Sequence, residues 1–123
     1  MTVAVVDRDA RTREGLILRL RQMSEVSVLG GATDCHEALR LVGNQRPAVL
    51  VIDHRGMACE GTELLSRVTA AAPGVAIVIH TAYVTEREGA DLRRAGADSI
   101  VVKEIDSDAL VRTIRAVAER RVC

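Results

Sequence analysis

The chain has 123 residues, of which 48% are hydrophobic and 28% charged, the balance of one globular domain rather than of a disordered tail. Seventeen basic residues against 17 acidic ones give a formal net charge of zero, which argues against a domain built mainly to bind nucleic acid. No apolar run approaches the ~18 residues needed to span a bilayer, and Met1 to Arg8 leads straight into strand and charge, so neither a membrane span nor a signal peptide is expected.

The first strand is predicted at Val3–Val6, and Asp9 is placed to cap the helix that follows. That helix carries an apolar stripe of Leu16, Ile17, Leu20 and Met23. Val26–Leu29 predicts the second strand, with Gly30-Gly31 in the connection after it. Ala38, Leu39 and Val42 mark the second helix. Pro47 stands just before the third strand, Ala48–Ile52, where it cannot interrupt the ladder. Leu64, Leu65, Val68 and Ala72 form the third stripe, with Gly61 and Gly74 in the flanking connections. Val75–Ile79 is the fourth strand. Thr85 with Glu88 matches a capping box before a weak stripe of Ala90, Leu92 and Ala95, which predicts the most exposed helix. After Gly96 come a fifth strand at Ile100–Val102, a cap at Asp106 and a last helix with Leu110, Val111, Ile114, Val117 and Ala118.

The five strand runs are rich in Val and Ile and nearly continuous, as strands buried on both faces of a parallel sheet are. Strand and helix alternate five times. That order predicts a doubly wound α/β domain over residues 1–123, with five parallel strands ordered 2-1-3-4-5 in the flavodoxin-like manner. The ligand crevice of such a fold lies at the carboxyl ends of strands 1 and 3.

Polar residues stand at those ends. Strand 1 runs into Asp7-Arg8-Asp9, strand 3 into Asp53, strand 4 into Thr81-Ala82 and strand 5 into Lys103. Lys103 is the only lysine in a chain that otherwise uses arginine. Its ammonium is a compact point charge that a planar guanidinium cannot copy. An Asp after a strand is usually a turn former or cap, so weight rests on the convergence of four such positions. His54 and His80 flank them without a third ligand at metal spacing, and predict packing or exposure rather than a metal site. The three cysteines, Cys35, Cys59 and Cys123, are odd in number and lack metal-ligand spacing. They predict free thiols in a reducing cytoplasm. The loop after strand 1 is too acidic for a flavin phosphate, and the triphosphate-binding pattern G-x-x-x-x-G-K-[ST] is absent. A cobalamin-type D-x-H-x-x-G is not met, since His54 follows Asp53 one place early.

Four stretches together resemble the receiver domain of bacterial two-component response regulators. They are Val5-Val6-Asp7-Arg8-Asp9 running on to Arg13-Glu14-Gly15-Leu16, Pro47 to Asp53, His80-Thr81-Ala82, and Ala95-Gly96-Ala97-Asp98 followed by Lys103. The resemblance implies a signalling switch rather than an enzyme. Asp53 would accept a phosphoryl group from a sensor histidine kinase or a phosphotransfer protein. Asp7, Asp53 and the carbonyl of Arg55 would hold Mg²⁺, Lys103 would contact a phosphoryl oxygen, and Thr81 would bind another and carry the signal. It further implies a homodimer through the last two helices and strand 5, whose charges include Arg87, Asp91, Arg94, Asp108, Arg112 and Arg115. A DNA-binding output domain beyond residue 123 is in keeping with it, with no direct nucleic-acid contact by this domain.

The sequence departs from the family in several places. Arg8 stands where a second acid is usual, Ile100 where an aromatic is frequent, and Glu104 and Met57 where prolines are frequent. Arg8 has two readings. Its guanidinium swings to solvent and leaves Asp7 to serve alone, or it enters the pocket, pairs with Asp7 or Asp53 and opposes the metal. Two functions follow: a phosphorylation switch, or a pseudo-receiver that acts as an interaction module without phosphorylation.

Overall fold

A computed structural model describes residues 1–57, 59–104 and 107–122. Ten elements alternate along the chain: β1 (Thr2–Val6), α1 (Ala10–Arg21), β2 (Ser27–Ala32), α2 (Cys35–Gln45), β3 (Val49–Ile52), α3 (Gly61–Ala71), β4 (Ala76–Thr81), α4 (Glu86–Ala95), β5 (Ser99–Val102) and α5 (Asp108–Val122). All strand pairs are parallel, in the order β2-β1-β3-β4-β5, as the alternation predicts.

The sheet separates two aliphatic cores by the period-2 geometry of its strands. Val3, Val5, Val49, Val51, Ala76 and Val78 face α1 and α5, against Leu16, Leu20, Leu110, Ile114 and Val117. The residues between them, Ala4, Val6, Leu50, Ile52, Ile77 and Ile79, face α2, α3 and α4. Burial on both sides explains why these strands read as continuous apolar runs.

Local signals agree for the most part. Asp9 caps α1, its carboxylate accepting from the N–H groups of Arg11 and Thr12. Thr85 and Glu88 form the reciprocal capping box of α4. The expected cap at Asp106 lies outside the described residues, as does Cys123.

Three expectations are corrected. Gly30 and Gly31 do not lie in a connection but inside β2, an edge strand with a bulge where the register passes from Val3–Val28 to Ala4–Gly30. A Cβ at Gly31 would stand 3.0 Å from the Arg13 side chain and 3.1 Å from Ile17, so α1 can pack closely over a strand that lacks one. Ala90 is exposed, and α4 buries Gly89 and Leu92 instead. Cys35 and Cys59 are not free thiols. They form a disulfide with a Cα–Cα separation of 6.4 Å, inside the range that a disulfide spans. The fold brings the first residue of α2 against the segment leading into α3, a neighbourhood that a sequence separation of 24 does not disclose.

Candidate functional site

Backbone bonds that continue the ladders beyond the strands place the site. The Asp7 N–H donates to Ala32 O, the Asp53 N–H to Val6 O at 2.9 Å, and the Lys103 N–H to Thr81 O at 2.7 Å. Each polar residue therefore begins where its strand ends, fixed by its neighbour strand.

Asp7 and Asp53 are both buried, and Lys103 reaches between them. Its Nζ lies 2.7 Å from Asp53 Oδ2 and 2.9 Å from Asp7 Oδ2. Each carboxylate turns its other oxygen to a backbone donor. Asp7 Oδ1 accepts from the Asp9 N–H at 2.8 Å, and Asp53 Oδ1 from the Arg55 N–H at 3.0 Å. Burial alone would push the Lys103 ammonium down, but the hydrogen bonds and charges of Asp53 and Asp7 outweigh it and hold the group above its usual value. The lysine is thus a fixed cation at a dicarboxylate site.

Thr81 is fully buried at the end of β4, and its hydroxyl donates to the Tyr83 carbonyl at 3.4 Å, not to Asp53. The Arg8 guanidinium enters no ion pair with Asp7 or Asp53. Its Nη1 donates to the Gly56 carbonyl at 3.2 Å, and the side chain remains exposed. The exposure agrees with the reading in which Arg8 turns to solvent and not with the one in which it pairs with Asp7 or Asp53, but the side chain is tied as well, crossing from the end of β1 to the loop after β3. Gly56 permits it. With φ at +75° it occupies the left-handed region, and a Cβ there would stand 2.8 Å from Arg8 Nη1.

Arg55 does more than its sequence role suggests. Nε donates to Tyr83 O at 2.9 Å, and Nη2 lies 3.0 Å from each Glu88 carboxylate oxygen. The guanidinium also lies over the Tyr83 ring, 3.6 Å from its centroid. Residues on the β3–α3 loop, the β4–α4 loop and the first turn of α4 are thereby joined through one side chain. Tyr83 being the sole aromatic was the only signal for it. Glu88 is held below its ordinary value, first by the Thr85 N–H and then by the Thr85 hydroxyl and Arg55.

The histidines pack as expected. His80 is buried, and burial, then the Lys103 charge, hold its pKa down. His54 packs under Gly61, where a Cβ would stand 2.7 Å from the His54 Cβ, and its Nε2 lies 3.6 Å from Glu88 Oε2. Among the described residues no group of three or more His, Cys, Asp or Glu side chains could hold a metal. Two buried carboxylates side by side do suit Mg²⁺, which takes one or two carboxylates and fills its other positions with water and phosphate.

The family model of the response regulator receiver domain matches residues 3–115. The chain belongs to that family. As a receiver it is a domain of two-component response regulators. It is 33% identical over 119 residues to the DNA-binding transcriptional activator DevR/DosR of Mycobacterium tuberculosis, covering 97% of this chain and 55% of that protein. It is 31% identical over 116 residues to the uncharacterized transcriptional regulatory protein YxjL of Bacillus subtilis, covering 94% of this chain and 53% of that protein. The receiver thus spans about half the length of these curated relatives. A two-component response regulator of the LuxR family from Aurantimonas superposes with a TM-score of 0.90 at 26% identity, covering 98% of this chain and 86% of that one. The signal receiver domain of the putative response regulator NarL from Mycobacterium tuberculosis superposes at 0.89 with 23% identity, covering 96% and 95%, a likeness of fold.

Proposed function

We propose that residues 1–123 form one receiver domain that works as a phosphorylation switch, with Asp53 as the phosphoacceptor. The observation that carries this reading is the pair of buried carboxylates bridged by Lys103 at the strand ends. A carboxylate is a weak nucleophile, so the donor must be brought in line and the phosphoryl charge neutralised. Asp53 is held by Lys103 on one oxygen and by the Arg55 N–H on the other. An Asp53 oxygen forms the new bond to phosphorus. The P–N bond of a phosphohistidine on a sensor kinase or phosphotransfer protein breaks, and its electron pair stays with the imidazole. Lys103 is placed to follow the charge onto a phosphoryl oxygen. Mg²⁺, held by Asp7, Asp53 and the Arg55 carbonyl, supplies further charge neutralisation when bound.

In this reading the Thr81 hydroxyl leaves Tyr83 O for a phosphoryl oxygen. Tyr83 O also accepts from Arg55, so that movement bears on the Arg55–Glu88 clamp and on α4. Output then passes to the face of α4, β5 and α5 as homodimerisation, and in the whole protein to transcription, as in DevR/DosR. The domain itself touches no nucleic acid and catalyses no turnover of its own. No helix among the described residues is long and apolar enough to cross a membrane, and we place the domain in the cytoplasm with its kinase. Incubation with phosphoramidate and Mg²⁺, followed by intact mass measurement, tests the assignment. One phosphoryl group on the wild type and none on Asp53→Asn is expected; equal uptake by both would contradict it.

A second reading, an interaction module independent of phosphorylation, draws on the Arg8–Gly56 bond. That bond sets a cation against the loop after Asp53 without any metal or phosphate. Wild-type protein that takes up no phosphoryl group under those conditions, while still dimerising, would favour it.

A further inference from the structure

The receiver chemistry makes no use of the Cys35–Cys59 disulfide, yet the bond sits beside the loop that carries the site. Cys35 is the first residue of α2. Cys59 follows the segment bearing Arg55, Gly56 and Met57. Both cysteines are half-buried, and both line a small surface cavity of about 30 Å³ with Leu39, Glu63, Leu64 and Arg67. Met57 Sδ lies 3.8 Å from Cys35 Sγ, so a residue of the loop itself packs on the bond.

Cys35 stands at the N-terminus of α2, where the helix dipole favours a thiolate, while the Asp34 cap carboxylate, which takes the Glu37 N–H, and the Glu37 side chain set negative charge near it. Arg67 adds positive charge in the same cavity, offset by its partner Glu63 at 2.8 Å. Both sulfurs are half-buried and open to exchange, and attack on Cys59 releases Cys35.

We propose that Cys35 and Cys59 form a reversible thiol–disulfide exchange site that takes a dithiol reductant and sets how tightly the loop after Asp53 is tied to α2. The thiolate of the reductant attacks Cys59 Sγ. The Cys35–Cys59 bond breaks, and its electron pair leaves on Cys35, which takes a proton. The second thiol of the reductant then displaces Cys59 and closes the reductant's own disulfide. Two electrons and two protons pass from reductant to protein. Oxidised glutathione reverses the change through the same mixed-disulfide chemistry.

The structural consequence follows from the loop's attachments. Arg55 fixes it towards Glu88, Gly56 is held by Arg8, and the disulfide fixes its far side to α2. Reduction removes the only covalent tether of the three. The further effect on the metal site, through the Arg55 carbonyl, rests on the receiver reading.

The test equilibrates the purified chain in glutathione buffers of graded ratio, blocks free thiols with iodoacetamide and maps the modified peptides. Cys35 and Cys59 are expected to become reactive together in the folded protein, with a midpoint inside the series. A pair that stays oxidised under excess dithiothreitol until the chain is denatured would be a structural staple and would overturn the proposal. Thiols that persist under oxidised glutathione would overturn it too. Amide hydrogen exchange at Arg55, Gly56 and Met57 is then compared between the two forms. Exchange several-fold faster after reduction, and equally fast in Cys59→Ser whatever the buffer, supports the tether; unchanged exchange refutes it. Neither readout uses a phosphodonor, so failure here is distinct from failure of Asp53 to accept a phosphoryl group.

Discussion

Replacing Lys103 with Met keeps an unbranched side chain, one atom shorter, and removes the cation between the two carboxylates. At 2.7 and 2.9 Å, each Lys103–carboxylate pair gains about 6 kcal/mol of Coulomb energy at an effective dielectric near 20. Most of that offsets desolvation, and the Lys103 side chain keeps 21% of its surface in solvent. The net cost of removing one partner from such a site is about 3 kcal/mol, because two buried carboxylates are then left facing each other. A double-mutant cycle isolates the effect. Asp7→Asn alone removes one bridge, and Asp7→Asn combined with Lys103→Met removes the repulsion as well. The two losses should therefore fall short of adding by about 1–2 kcal/mol. Urea unfolding at neutral pH without divalent metal measures all four corners of the cycle. Additivity within about 0.5 kcal/mol would refute the reasoning, since it would mean that Lys103 does not couple the carboxylates.

Arg8→Asp removes a cation and supplies the acid that the family usually has at that position. Isothermal titration should show Mg²⁺ bound about tenfold more tightly than by the wild type, a change of ~1.4 kcal/mol and small beside the Coulomb terms available. Equal affinity would mean that the Arg8 charge is screened by solvent. Tyr83 is the only Tyr, Trp or Phe in the chain, so intrinsic fluorescence comes from the ring that Arg55 covers. Glu88 has its pKa lowered from 4.5, so its contribution holds above that value and is lost as pH falls through the lower folded one. Tyr83 emission should change over that acid window in the wild type, and the step should be absent in Arg55→Gln. Cys59→Ser opens a link between residues 24 apart, and urea unfolding under oxidising conditions should show a loss of about 3 kcal/mol that vanishes when both proteins are reduced.

What was legible in the sequence follows from how local each signal is. A strand buried on both faces is mostly apolar, so β1 and β3 could be read to within a residue, whereas β4 runs on through buried His80 and Thr81, two residues beyond the apolar run that predicted it. β2 lies at the edge and carries glycines under α1, so its last residues resembled a turn. Asp7, Asp53 and Lys103 were legible because each directly follows its strand, and the topology then brings strand ends together. The Arg55 clamp was not. Its partners Tyr83 and Glu88 lie 28 and 33 residues away, and a long guanidinium reaches whatever the loop geometry offers. The disulfide was hidden for a related reason: an odd number of cysteines without a motif gives no pairing. Arg8 was flagged by its position, but its acceptor is a backbone carbonyl, and every residue has one of those.

The central claim is that Asp53 is the group that takes the phosphoryl. An acyl phosphate on aspartate is reduced by borohydride to homoserine, which marks the modified residue within its peptide. Protein treated with phosphoramidate and Mg²⁺, then with borohydride and digested, should carry homoserine at position 53 and nowhere else. Homoserine at position 7 or 9 instead, or at no position while uptake of phosphate is measured, would contradict the account.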